Sequence, residues 1–150
     1  MPERSVLLKD LLPIIREQLA AGQTVSFSPR GVSMLPMLRQ GVDRVTLAPV
    51  TGPLKKYDLP LYRMDSGKFI LHRIVAVGDS YTCRGDNTYM DETGIRQDQL
   101  IGVVRSFTRG ERVVRVDHAA YRMYCRVWVG IYPLRRFVRR GVNFLRRRLK

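Results

Sequence analysis

Acidic residues, cysteine and histidine are scarce in this chain. Of 150 residues, 13 are Asp or Glu against 27 Lys or Arg, two are Cys and two are His. Cys83 and Cys125 are too few for a disulfide framework or a Cys-rich zinc site. His72 and His118 add too little to build a metal centre, so no metal or cofactor is expected. No apolar run approaches the ~18 residues that spanning a bilayer requires. The start, Met1-Pro2-Glu3-Arg4 followed by Lys9, Asp10, Arg16 and Glu17, is too charged for a secretory signal, so a cytoplasmic protein is expected.

What is present is a chain able to fold as one domain, 45% hydrophobic and 27% charged. The deficit of acids is uneven. Residues 1–104 hold 13 Lys or Arg against 11 Asp or Glu, whereas residues 105–150 hold 14 against 2. The basicity belongs to a C-terminal segment, which should seek a polyanionic partner.

Apolar residues recur at the helical period from Val6 to Ala21, and Gly22 stops the pattern. A single amphipathic helix of this length is too little for a helix-turn-helix DNA reader. From Thr24 the texture changes to short β-type runs: Thr24–Phe27, Asp43–Ala48, Leu59–Arg63, Lys68–Val77, Ser80–Arg84, Gln99–Phe107 and Arg112–Val116. Gly, Pro, Asp and Asn clusters punctuate them. The chain turns helical again over Ala119–Ile131, and Pro133 restarts a helix. There Leu134, Phe137, Val138, Val142, Leu145 and Leu149 form one stripe among Arg135, Arg136, Arg139, Arg140, Arg146, Arg147 and Arg148. The expected architecture is mainly β, with an N-terminal helix over 1–23, a β domain over 24–116 and basic amphipathic helices over 117–150.

The segment Ser28-Pro29-Arg30-Gly31-Val32-Ser33-Met34-Leu35-Pro36 carries the first chemical signal. Ser33 follows Gly31-Val32 in a loop after a β run, and Met34 and Leu38 can pack beneath it and leave its hydroxyl outward. Serine attacks poorly without a base. His72, within Phe69-Ile70-Leu71-His72-Arg73-Ile74-Val75, is a candidate, sharing one strand face with Ile70 and Ile74. The turn Arg84-Gly85-Asp86-Asn87-Thr88-Tyr89-Met90-Asp91-Glu92 then offers three carboxylates, any of which could accept the imidazole N–H and fix its tautomer.

These residues resemble the signal peptidase I and SOS-repressor (LexA-like) superfamily of serine peptidases. The likeness covers roughly residues 24–107, as Gly31-x-Ser33-Met34-x-Pro36-x-Leu38 with Gly41, then Tyr57-Asp58-Leu59-Pro60-Leu61-Tyr62. His72-Arg73-Ile74-Val75, Arg84-Gly85-Asp86-Asn87 and Ile101-Gly102-Val103-Val104 follow in family order. It implies a mostly β peptidase fold with Ser33 as nucleophile. Histidine precedes Arg73 where bacterial members carry lysine, as in the archaeal and endoplasmic-reticulum branch. The exchange is chemically sensible, since a lysine base must lose roughly three pK units by burial while histidine starts near 6.5. The branch's third member is an acid. Spacing from Gly85 puts it on Glu92, with Asp91 one residue away; Asp91 is the assignment favoured here, Asp86 the second choice and Glu92 the third. Two departures stand out: Gly31 lies where signal peptidases often carry a serine hydroxyl, and Tyr57 replaces a family glycine.

The expected function is therefore a Ser-His-Asp endopeptidase cutting a peptide or leader segment near the cytoplasmic membrane surface. Two alternatives compete: a non-catalytic peptide-binding module of the same fold, and a nucleic-acid binder using the Arg-rich tail with Tyr121, Tyr124, Trp128 and Tyr132. The apolar stripe disfavours nucleic acid and favours an anionic membrane surface, because nucleic acid offers nothing for Phe137 or Leu145 to enter.

Overall fold

A computed structural model describes residues 8–150. The charged start and the first helical positions expected, Val6 and Leu7, lie outside the described residues. The fold is a small mixed α/β domain with antiparallel sheets, 31% helix and 29% strand, which corrects the expectation of a mainly β chain. The helices are longer than the strands are numerous: three helices flank strands of mostly three to five residues.

Helix α1 (Leu8–Ala20) leads into β1 (Val25–Phe27), β2 (Val45–Ala48), β3 (Pro60–Arg63), β4 (Phe69–Leu71), β5 (Arg73–Val77), β6 (Tyr81–Arg84) and β7 (Glu92–Ile95). A short 3₁₀ turn (Gln97–Gln99) precedes β8 (Leu100–Arg109) and β9 (Arg112–Arg115), and α2 (Ala119–Gly130) and α3 (Tyr132–Arg148) close the chain. The larger sheet runs β1-β2-β8-β3-β4, with β9 also on β8, and curls into a half-barrel. The smaller sheet runs β5-β6-β7. The ten-residue β8 serves β2, β3 and β9 in turn.

Alternation explains β2, whose Val45 and Leu47 are wholly buried while Thr46 and Ala48 are partly exposed. Ile15 and Leu19 of α1 join Phe27, Leu47, Leu61, Val104 and Phe107 in the main core, and so do Tyr121 and Cys125 of α2. Gly102 lets α1 lie close on β8: a Cβ there would meet Leu19 Cδ1 at 3.1 Å and Ala48 O at 3.2 Å. A second cluster, with Tyr62, Ile74, Cys83, Ile95 and Val103, fills the space between the two sheets.

The expected strand Lys68–Val77 is two strands in two sheets, broken at His72. Beyond the break Ile74 N donates to Asp58 O and Ile74 O accepts from Tyr57 N, so the chain leaves the ladder of the first sheet as it enters the second. Tyr57 holds a φ of 80°, a conformation unfavourable to a bulky side chain. Its carbonyl accepts from Arg73 at 3.1 Å, which helps to hold that conformation. The strand β7 was not expected. It begins at Glu92, where the sequence reads as the end of an acidic turn.

Candidate active site

Ser33 sits half-buried in the turn after β1. Met34 and Leu38 are buried beneath it. Gly31, two residues earlier, has a φ of 85°, and its N–H donates to Gln40 across the loop. Among the described residues neither the hydroxyl nor the backbone N–H of Ser33 makes a hydrogen bond, and its carbonyl accepts from Asn87 N at 2.8 Å. Asn87 Nδ2 donates to Val32 O as well, so the segment after β6 clamps the Ser33 loop by its backbone.

His72 occupies the break between β4 and β5 and is buried. Its Nδ1 lies 3.1 Å from Glu92 Oε2. The first residue of β7 is therefore the carboxylate that meets the histidine. Gly85 brings the other edge of the ring to the serine loop: a Cβ there would stand 2.7 Å from Ser33 O and 2.9 Å from His72 Nε2. Any side chain at that position would push the two apart, which the turn-forming role read from the sequence did not disclose.

The remaining acids are committed elsewhere. Asp91, the favoured assignment, instead holds Arg84 through two hydrogen bonds of 2.6 and 3.1 Å. Adjacent residues of an extended segment point to opposite sides, so Asp91 turns away when Glu92 turns in. Asp86, the second choice, is buried on Arg73, which donates to it at 2.9 and 3.0 Å. Tyr124 OH donates to the same carboxylate, and its backbone carbonyl accepts from Trp128 Nε1 and Arg135. Arg73 is wholly buried and also reaches Tyr121 OH, Cys125 Sγ and Met37 Sδ. The charge of Asp86 keeps the guanidinium ionised against the desolvation it suffers. Neither Asp86 nor Asp91 is left to orient the imidazole.

Ser33 and His72 both line a groove of about 440 Å³. Its walls come from β1 and β4, the two ends of the β1-β2-β8-β3-β4 path among the described residues, through Phe27, Phe69, Ile70 and Leu71. Met34, Leu38 and Leu11 make it apolar, and Lys9 and Arg30 add positive charge.

Cys83 is fully buried beside this region, and burial pushes its thiol up to about 12, which keeps it protonated and unreactive at neutral pH. Among the described residues no three His, Cys, Asp or Glu side chains gather closely enough to hold a metal ion. No described helix is long and apolar enough to cross a membrane. No family model matches the chain and no curated protein matches it.

Proposed function

We propose that the chain is a serine endopeptidase in which Ser33 attacks, His72 moves the proton and Glu92 orients the imidazole. The observation that carries this is the pairing of His72 Nδ1 with Glu92 while His72 itself lines the groove that Ser33 also lines. A carboxylate on Nδ1 favours the tautomer with its proton there, leaving Nε2 to accept the serine proton. Ser33 Oγ then bonds to the scissile carbonyl carbon and His72 takes the hydroxyl proton. Collapse of the adduct breaks the peptide C–N bond, and His72 returns the proton to the leaving amine. Water repeats the cycle on the acyl-serine. The oxyanion would rest on backbone N–H groups including that of Ser33, which is free of other partners among the described residues.

The groove also suggests the substrate. The outer edges of β1 and β4, unpaired among the described residues, can pair with an extended peptide, while Phe27, Leu38 and Phe69–Leu71 favour apolar side chains beside the cut. The family resemblance of the sequence supports the same reading. The alternative is a module that grips peptide without cutting it.

Labelling with a serine-reactive phosphonate separates the two. The native protein should label, Ser33→Ala should not, and His72→Ala should label at least about a hundredfold more slowly, because serine needs its base. Peptide binding without labelling of the native protein would establish the binding module instead.

A further inference from the structure

We infer that α3 is a docking surface for an anionic lipid bilayer. Amphipathic helices normally turn their apolar face onto their own core. In α3 the polar side does the fastening. Successive residues advance by about 100°, so Tyr132, Arg135 and Arg139 share one side of the helix. These are the residues that meet the body of the protein. Arg84 stacks on the Tyr132 ring at 3.4 Å, Arg135 stacks on Trp128 at 4.1 Å and donates to Asp86 O, and Arg139 lies over Tyr89 at 4.3 Å. The apolar side points away. Phe137 is 75% exposed and Leu149 87%, and Leu134, Val138, Phe144 and Leu145 are each more than half exposed.

The charge identifies the occupant. α3 carries seven arginines and no acidic residue. A second copy of this chain would set those cations against their like, and a nucleic acid would leave the apolar side in water. An anionic leaflet satisfies both at once, with Phe137 and Leu145 entering the acyl boundary and the arginines reaching the headgroups. The assignment is independent of the chemistry at Ser33.

The test is co-sedimentation of the full chain with vesicles of phosphatidylcholine alone or mixed with phosphatidylglycerol. Partitioning should require the anionic lipid and fall about tenfold or more between about 0.1 M and 1 M salt. Phe137→Asp combined with Leu145→Asp should reduce it at least about tenfold at constant salt, while phosphonate labelling of Ser33 stays as in the native protein. Both positions are exposed, so the fold is not at stake. No partitioning, equal partitioning onto both vesicles, or partitioning that ignores the double substitution would overturn the assignment. So would duplex DNA binding in the absence of vesicle binding, or a dimer that the double substitution dissociates while vesicle binding is absent.

Discussion

His72 and Arg73 are neighbours in sequence, and each takes a carboxylate from the segment that follows β6. The Arg73–Asp86 pair is closed: both side chains are almost wholly buried, and every direction around them ends in a tyrosine, a sulfur or a carbonyl. The His72–Glu92 pair is half open, with Glu92 about one-fifth exposed and the ring on a groove. Burying two charges costs several kcal/mol of desolvation, which only complete hydrogen bonding offsets. Such a pair can hold a loop in place but cannot exchange a proton without unfolding its surroundings. The open pair gives up that rigidity and keeps one ring edge available. One short segment thus supplies a buried structural acid and an acid paired with a groove-lining histidine six residues apart.

The comparison is broken most severely at Glu92. Glu92→Gln should lower peptide turnover by roughly 10²–10⁴-fold with the unfolding midpoint little changed, because the histidine loses its orienting charge rather than its packing. Asp91→Asn, which only releases Arg84, should stay within about threefold of the native rate. Steady-state kinetics on a soluble peptide read both. The reverse ranking would return the acid to Asp91.

Asp86 should behave in the opposite way. Asp86→Asn leaves the Arg73 charge buried and unbalanced, a loss of about 3–5 kcal/mol in unfolding free energy. Urea denaturation measures it, and a cycle with Arg73→Met should show strong coupling, the double variant being less damaged than the sum of the two. Labelling of Ser33 should decline only with the folded fraction. A stable Asp86→Asn protein that has lost labelling would make Asp86 part of the chemistry.

Much of this could be read from the residues and some could not. The edges of most strands fell within a residue or two of the expected runs, because β-rich alternation and Gly or Pro punctuation are local signals. Ser33 above buried Met34 and Leu38 was legible for the same reason, and so was the apolar stripe of α3. The break at His72 was not, since Ile70, His72 and Ile74 keep the period of two straight through it while the chain changes sheets. Asp86 was read as the second candidate for the acid because its partners Tyr124, Trp128 and Arg135 lie 38 to 49 residues downstream. The acid at His72 was left among Asp91, Asp86 and Glu92, and the side on which β7 pairs with β6 turns Glu92 toward the ring: Cys83 lies opposite Glu92. Tyr57 did carry a signal, since the resembled family has glycine where this chain bends to positive φ.

A smaller stability effect than that at Asp86 comes from another carboxylate, Asp43, which sharpens the contrast because its arginine is not buried with it. Its side chain is wholly inaccessible, whereas that of Arg39 is 41% exposed. Asp43 accepts from Arg39 N and Nε at 2.9 Å and from Arg39 Nη2 and Gly110 N at 3.0 Å, stapling the end of the Ser33 loop to the β8–β9 hairpin. The hydrogen bond from the Arg39 side chain, aided by those backbone donors, holds the carboxyl well below the usual carboxylate range despite its burial. A carboxyl whose folded-state pKa is depressed stabilises fully above its unfolded value of about 3.9. That contribution is lost as pH falls from there toward the lower folded value, because protons then bind the unfolded chain first. Asp43→Asn should therefore cost about 2 kcal/mol near neutral pH, less than the loss at Asp86, since water still serves the exposed Arg39. Thermal melts of both proteins from about pH 7 to pH 3 should converge as the acid limb is descended. A gap that stays constant across that range would mean that the shape of Asp43, and not its charge, joins the loop to the hairpin.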